Sequence, residues 1–299
     1  MRDVPSSTGL VVVIPAGPAD DIEDTVDSVL RFTGPPRAVV VVDDTNRPTT
    51  VQLGRRSPDV HILSSTSPSV GARGRLWGNV AKGIRWAVRN VAFDVLLRMD
   101  ADAIMIGPGI AALAAARFAQ EPTVGLLGSY RSGMDGGTRD WSWAATALER
   151  ECGVLGLGRP ALRRTLRRLR ARALGNGYVP GAHPLGAACL CTAGLVGALE
   201  REGFLDLPEL GASQLGDDHL LGLLAVAAGY RIGDFAGPDD PLALGWKGLP
   251  ASPEELLTRQ KLITHSVRRW GALGEPEIRS YFARARAAGS TLPEDPNPR

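Results

Sequence analysis

The chain has 299 residues, of which 44% are hydrophobic and 22% charged, and its formal net charge is +2. This length suits one large α/β domain or two close-packed halves, and the near-neutral charge provides no overall positive field to attract nucleic acid. Three cysteines without a Cys-x-x-Cys motif favour free thiols in a reducing compartment over a disulfide framework.

The ends of the chain give no targeting signal. Residues 1–9 are polar and lack the charged and apolar regions of a signal peptide. No apolar segment approaches the roughly 20 residues that a transmembrane helix needs. We therefore expect a cytoplasmic protein whose contact with membranes, if it has one, is at their surface.

In chain order, the first half alternates predicted strands and helices. The strands are at 10–15, 38–42, 60–63, 93–99 and 124–128, and the helices at 22–30, 76–91 and 110–118. Asp20 or Asp21 is the expected N-cap of the first helix. The alternation predicts the α/β class, with a doubly wound and mostly parallel sheet.

Polar residues follow three of these strands. Pro-Ala-Gly at 15–17 ends the first strand, Asp43 and Asp44 end the second, and Asp100-Ala101-Asp102 ends the strand at 93–99. Because the carboxyl ends of parallel strands share one edge of the sheet, these residues are expected to line one ligand crevice.

The Asp-x-Asp sequence is open to two interpretations. Two carboxylates at the end of a buried strand are costly unless a cation neutralises them, which favours an Mg²⁺ or Mn²⁺ site that also holds a diphosphate. The alternative is a turn whose Asp residues cap a helix. No Gly-x-Gly-x-x-Gly follows the first strand and no Walker lysine motif occurs, so dinucleotide and P-loop sites are disfavoured.

The second half is less regular. We predict a strand at 185–192, a helix at 193–202, and a capping box at 252–255 that opens a helix toward His265. Residues 159–174 contain seven arginines and no acid, with Leu162, Leu166, Leu169 and Ala173 on one helical face. This basic helix contacts either an anionic acceptor, a phospholipid surface or a phosphorylated carrier, or it is simply a solvated helix.

Five motifs together resemble the family 2 glycosyltransferases, which have the GT-A fold. They are Val-Val-Val-Ile-Pro at 11–15, Val-Val-Asp-Asp-Thr-Asn at 41–46, Gly-Asn-Val-Ala-Lys-Gly at 78–83, Asp-Ala-Asp at 100–102 and Gly-Asp-Asp at 216–218. The resemblance implies a Rossmann-like nucleotide-sugar half at 1–128, an acceptor-binding and catalytic half at 129–250, and a C-terminal helix and tail at 251–299.

The resemblance also implies roles for single residues. Asp102 and His265 bind the metal, Asp43 accepts a hydrogen bond from the base (usually uracil), and Asp218 is the catalytic base. The residues expected to contact the donor are Pro15, Ala16, Asp43, Asp44, Arg73, Arg75, Asn79, Asp100 and Ala101. Arg73 and Arg75 are included because they lie in a Gly-rich turn before a helix, where arginines can stabilise a diphosphate.

The chemistry of glycosyl transfer requires the same groups. An acceptor hydroxyl needs a carboxylate as general base, and the leaving diphosphate needs a divalent cation, Mn²⁺ or Mg²⁺. A single in-line displacement then inverts the anomeric carbon. The Gln-x-x-Arg-Trp motif of processive synthases is absent, and Arg268-Arg269-Trp270 is only superficially similar to it, which favours transfer of one sugar.

Several candidates have a structural alternative. Asp217 either contacts the acceptor or caps the helix that follows, and His265 either binds metal or lies at a helix end. His183 either touches the acceptor or belongs to a loop. Trp141 and Trp143 either stack on a sugar or join the core.

The leading hypothesis is a metal-dependent transferase that moves a hexose from a UDP-sugar to a small-molecule, lipid-linked or peptide acceptor, with no nucleic-acid partner. A sugar-1-phosphate nucleotidyltransferase is the second, although its Gly-rich signature is missing after the first strand. A catalytically inactive, glycosyltransferase-like binding module is the third, and the intact set of acids argues against it.

Overall fold

The computed structural model describes residues 8–18, 20–35, 37–44, 48–65 and 73–289. Thr45 and Asn46 of the second motif and the tail at 290–299 lie outside these residues. The strands are β1 Leu10–Ala16, β2 Arg37–Asp43, β3 Val60–Ser64, β4 Val95–Met99, β5 Ile104–Met105, β6 Val124–Gly128, β7 Ala188–Thr192, β8 Arg231–Asp234, β9 Leu242–Leu244, β10 Ile263–His265, β11 Arg269–Trp270 and β12 Leu273–Gly274. The α-helices are α1 Glu23–Phe32, α2 Pro48–Arg56, α3 Arg75–Asn90, α4 Ile110–Gln120, α5 Ser142–Cys152, α6 Pro160–Gly175, α7 Ala193–Arg201, α8 Asp217–Ala227, α9 Pro253–Thr258 and α10 Glu275–Gly289.

The central sheet has the order β3-β2-β1-β4-β7-β6-β8. Strands β1 to β4 run parallel, β7 is antiparallel to both of its neighbours, and β8 is parallel to β6. Alternate residues of β1 enter different cores: Val11 and Val13 pack on the side of α3, α6 and α8, whereas Val12 and Ile14 pack on the side of α1 and α4. The predicted α/β class, a doubly wound and mostly parallel GT-A-like sheet, is confirmed.

Most predicted elements agree with the structure to within a residue or two. The strand at 124–128 coincides with β6, and the helix at 76–91 is α3. The predicted strand at 185–192 begins three residues late, at Ala188, because Leu185 and Ala187 bond to loops instead. The amide of Leu185 donates to Ser129 O, and Ala187 O accepts from the amide of Asp100.

Two expectations about helix ends are wrong. Neither Asp20 nor Asp21 caps α1, because Ile22 is at that position without a side-chain bond and the carboxylate of Asp20 accepts from the amide of Gly17. The Ser252 cap is correct, with its Oγ accepting from the amide of Glu255 at 3.1 Å. However, α9 ends at Thr258, and His265 lies buried in β10 rather than at the end of a helix.

The Asp-x-Asp turn is held by α1 and α10. The hydroxyl of Thr25 donates to Ala101 O at 2.6 Å, and the buried guanidinium of Arg279 donates to the same carbonyl at 3.1 Å. Arg279 also pairs with Glu275 at 2.8 Å and with Asp24 at 3.3 Å. Helix α10 therefore supports the Asp-x-Asp turn through Arg279.

The remaining predictions concern burial and membranes. All four residues of the predicted apolar face of α6 are buried, as are Cys152, Cys189 and Cys191. Among the described residues, no helix is both long and apolar enough to cross a bilayer.

We predict that Arg279→Met lowers the free energy of unfolding by about 2 kcal/mol, because it removes the hydrogen bonds to Ala101 and Thr25 and the ion pair with Glu275. Urea denaturation measures the change. Arg284→Met, at an exposed position of the same helix, is the control and should cost less than about 0.5 kcal/mol. Equal stabilities of the two variants would contradict the anchoring role.

Candidate functional site

Asp100 and Asp102 follow the end of β4, and a three-stranded sheet of order β5-β10-β9 brings His265 to them. In that sheet β10 pairs antiparallel with β5, and Thr264 lies opposite Ile104. Continuing this register brings the residues after β10 alongside Asp102, whose carbonyl accepts from the amide of Val267 at 3.0 Å. One ligand atom each from Asp100, Asp102 and His265 then lies within 4.8 Å of the others.

Asp102 is the most heavily bonded carboxylate of the group. Its Oδ2 accepts from Ser266 Oγ and from Arg268 Nε, both at 2.7 Å. Its Oδ1 lies 3.1 Å from His265 Nε2. Burial opposes its ionisation, but the bonds from His265, Ser266 and Arg268 outweigh burial and hold the pKa of Asp102 well below its usual range.

His265 is oriented by its backbone neighbour. Its Nδ1 lies 2.7 Å from Gly245 O, which can only accept, so Nδ1 carries a proton and Nε2 faces the two carboxylates. A Cβ at Gly245 would lie 2.3 Å from Gly248 O, so the turn at 245–248 that presents this carbonyl requires glycine at 245. Burial opposes the charged imidazole, but Asp102 and Asp100 raise the pKa of His265.

This donor set fits a divalent cation. Two carboxylates and one imidazole suit Mn²⁺ or Mg²⁺, and the Nδ1–H to carbonyl bond is the usual support of a metal-binding histidine. Asp100 Oδ2 lies 3.6 Å from His265 Nε2, so Asp100 belongs to the same group as Asp102. Asp102 Oδ1, Asp100 Oδ2 and His265 Nε2 are the three converging ligand atoms.

A buried arginine in the middle of β4 joins the two acidic motifs. Arg98 is 1% exposed, and its Nη2 lies 2.8 Å from Asp100 Oδ1 and 2.6 Å from Asp217 Oδ2. Its Nε and Nη1 have no hydrogen-bond partner in the described part of the chain. The Asp-Asp motif of α8 is thus tied to the Asp-x-Asp motif through a single guanidinium.

Asp217 and Asp218 have different surroundings although both open α8. Burial raises the pKa of Asp217 to about 7, with Arg98 opposing the shift and the charges of Asp218 and Asp100 adding to it. Asp217 does not cap the helix, since Gly216 is the N-cap and no side chain caps it. Burial acts the same way on Asp218, but the contact with His219 and the charges of His219 and His183 dominate and lower its pKa.

Asp218 lies on the other side of the same loop that holds Asp100. The amide of Gly186 donates to Asp218 Oδ2 at 3.1 Å, and Ala187 O accepts from the amide of Asp100. A Cβ at Gly186 would lie 3.0 Å from the carboxylate, so glycine allows this approach. Asp218 is 15% exposed at its side chain and remains accessible from the crevice.

Two histidines flank Asp218. His219 Nδ1 lies 2.5 Å from Asp218 Oδ1, and the ring of His183 stacks on that of His219 at 3.9 Å. Burial is the largest cause that lowers the pKa of His183 to about 4. These residues also form a compact group, but Arg139 Nη2 lies 3.2 Å from His183 Nε2 and donates to the ring nitrogen that a metal ion would need.

The predicted donor residues on β1 and β2 share the edge with Asp100. Pro15 and Ala16 are buried at the end of β1, and Ala16 O accepts from the amide of Asp44 at 2.9 Å. Asp43 is 6% exposed at the end of β2. Asn79 on α3 is buried and accepts from Ser65 Oγ at 2.7 Å.

The structure separates the remaining candidates. Arg73 lies 4.6 Å from the ring centroid of Trp143, which is 49% exposed and 5.5 Å from the His219 ring. Trp141 instead stacks on Tyr130 at 5.0 Å and packs against the core. Arg75 lines a cavity of about 1190 Å³ on the outer side of α3, whose walls include none of the acids described above.

The sequence analysis missed five residues of the site. They are Arg98, Arg139, His219, Ser266 and Arg268. Arg98 had a readable signal, since it is a charge inside an apolar strand. Ser266 and Arg268 had none, because only the pairing of β10 with β5 brings them to Asp102.

Fold and site together define a GT-A-like α/β protein with a carboxylate–imidazole centre at the carboxyl edge of its sheet. No protein-family profile and no curated protein matches the sequence. Among solved structures, the crystal structure of S. aureus TarS is similar over 76% of this chain and 35% of TarS, with 16% sequence identity and a TM-score of 0.42. The chain therefore spans about a third of that structure's length.

The raised pKa of Asp217 predicts a pH-dependent stability. The folded state holds a proton on Asp217 that the unfolded state has already lost between pH of about 4 and about 7, so stability falls as pH rises through this window. We expect Asp217→Asn, which does not titrate, to gain stability relative to the unsubstituted protein over that range, with no further gain above it.

Urea denaturation at a series of pH values measures this difference. Asp239→Asn, at an exposed position, is the control and should give a difference that does not change with pH. A constant difference for Asp217→Asn as well would show that Asp217 does not titrate in this window.

Proposed function

We propose that the protein is a metal-dependent glycosyltransferase that moves one hexose from a UDP-sugar to an acceptor hydroxyl, with inversion. The observation that carries the proposal is the convergence of Asp100, Asp102 and His265 at the carboxyl edge of the sheet, within 4.8 Å of one another. A diphosphate bridged by a divalent cation is the ligand that such a group at this edge favours.

In this proposal the donor lies along the ends of β1, β2 and β4. Asp43 accepts from the base, and Pro15 and Ala16 line the pocket beside it. Asp44, Asn79 and Ala101 would contact the donor at the same edge, where hydrogen bonds to Ala16, Ser65 and Thr25 hold them. Residues 1–128 supply these donor contacts, and residues 129–250 supply the acceptor side.

Asp102, His265 and Asp100 would hold Mn²⁺ or Mg²⁺. When bound, the ion stabilises the negative charge that grows on the leaving diphosphate. Arg268 and Ser266 keep Asp102 ionised and fixed, so one oxygen of this carboxylate faces the site at all times. Arg98 fixes Asp100 in place and opposes burial, which raises the pKa of this carboxyl.

Asp218 is the proposed general base. Its carboxylate is ionised and partly exposed. One loop separates it from Asp100, which suits a general base, because a base must face the acceptor rather than the diphosphate. Asp217 is unsuited to this task because its carboxylate is bonded to buried Arg98. His183 and His219 lie beside Asp218, and Trp143 packs against His219, so these three residues would form the acceptor side, where an exposed indole can stack on a sugar.

Asp102→Asn should weaken Mn²⁺ binding by at least about 10-fold, because it removes a charged ligand. Isothermal titration with the metal alone measures the affinity. Asp27→Asn, at an exposed carboxylate of α1, is the control and should bind Mn²⁺ as the unsubstituted protein does. Unchanged Mn²⁺ affinity in Asp102→Asn would remove the basis of the proposal.

Asp218→Asn should lower the rate of sugar transfer by about 10²- to 10⁴-fold while Mn²⁺ and UDP-sugar affinities stay within about twofold. Transfer is measured with a panel of acceptors, and donor hydrolysis without one. Unchanged transfer would exclude Asp218 as the base.

Release of pyrophosphate from a nucleoside triphosphate and a sugar phosphate would indicate a nucleotidyltransferase instead, and donor binding with neither transfer nor hydrolysis would indicate a binding module.

A further inference from the structure

The outer face of α6 is strongly positive. The apolar face of this helix is already used, because Leu162, Leu166 and Leu169 are buried between α5 and α8. The residues that remain outside include Arg164, Arg167 and Arg168, all of them exposed. An amphipathic helix of this kind cannot insert its apolar face into a bilayer, so any partner must meet the arginines.

These three arginines are not neutralised by the fold. Arg159 pairs with Glu151 and Arg172 pairs with Glu202, at the two ends of the helix. Within the described ranges, Arg164, Arg167 and Arg168 form no ion pair with an acid, so their charge is directed at solvent.

Two large apolar side chains are exposed immediately before α6. Val154 is 78% exposed and Leu157 is 60% exposed, in the turn that joins α5 to α6. The turn is held in this form by Arg163, whose Nε donates to Gly153 O at 2.9 Å and to Cys152 O at 3.2 Å. The amide of Leu157 also donates to Val154 O at 3.0 Å. Val154 and Leu157 are therefore exposed because these hydrogen bonds fix the conformation of the turn.

We propose that this surface, formed by Val154, Leu157, Arg164, Arg167 and Arg168, docks on an anionic phospholipid bilayer. Arginines are attracted to the negative headgroups, and the two apolar side chains enter the boundary between headgroups and acyl chains. A nucleic acid would engage the arginines alone and leave Val154 and Leu157 in water, which is why a membrane fits this combination better.

Docking here brings the proposed acceptor side near the bilayer. Helix α5 begins beside Trp143 and ends at the turn, so the turn is about 15 Å from Trp143 along the helix axis. If the proposed transfer is correct, this distance suits an acceptor that resides in or on the membrane. The docking itself is independent of donor and metal, so its failure and the failure of the transfer proposal are distinguishable.

The test is co-sedimentation of the full chain with vesicles, without nucleotide or metal. We expect binding to vesicles that contain phosphatidylglycerol, weakening as salt rises, and little binding to phosphatidylcholine alone. Arg164→Gln/Arg168→Gln should lower binding about 30-fold, since one arginine near an anionic surface is worth about 5-fold. Val154→Ser/Leu157→Ser should lower it at least about 10-fold.

Arg55→Gln/Arg284→Gln is the matched control. It removes the same charge from exposed positions on α2 and α10 and should bind as the unsubstituted protein does. Thermal unfolding shows whether each variant is folded. Equal loss of binding in the control and the α6 variant, equal binding to both kinds of vesicle, or tighter binding to an RNA oligonucleotide than to vesicles would each overturn the proposal.

Discussion

The site depends on one buried charge. Arg98 lies in the middle of an apolar strand, 1% exposed, and its guanidinium is the counter-ion of both Asp100 and Asp217. Without it, the buried carboxylate of Asp217 would lose its counter-ion and would still lie near Asp100, and an unpaired buried charge is costly. With it, Asp100 is directed toward His265, and Asp217 fixes the start of α8 so that Asp218 meets Gly186.

The second constraint is strand register, which brings Asp100, Asp102 and His265 together from distant segments of the chain. The register of β5 against β10 brings residues 265–268 to Asp102, and Gly245 then orients the His265 ring. Ser266 and Arg268 occupy one oxygen of Asp102 and leave the other for His265. The pairing of two very short strands thus decides the geometry of the whole centre, and α10 reinforces it through Arg279.

The two histidines beside Asp218 give it surroundings that differ from those of Asp217. Asp217 is buried against the guanidinium of Arg98, whereas Asp218 lies beside His183 and His219 and is 15% exposed at its side chain. Consecutive residues at a helix start point in different directions, about 100° apart around the axis, and this is why one can be structural and the other functional.

The sequence by itself determined most strands of the central sheet and the polar residues at its edge, although it did not predict β8. Continuous apolar runs predicted β1, β2, β4 and β6, helical spacing predicted the buried face of α6, and the polar residues that end β1, β2 and β4 predicted the crevice. It did not determine that His265 lies in a strand, that Ser266 and Arg268 bind Asp102, or that Arg98 joins the two acidic motifs. Local patterns report only which face of an element is buried, whereas these contacts join residues more than 100 positions apart and exist only once strand register and helix packing have been chosen.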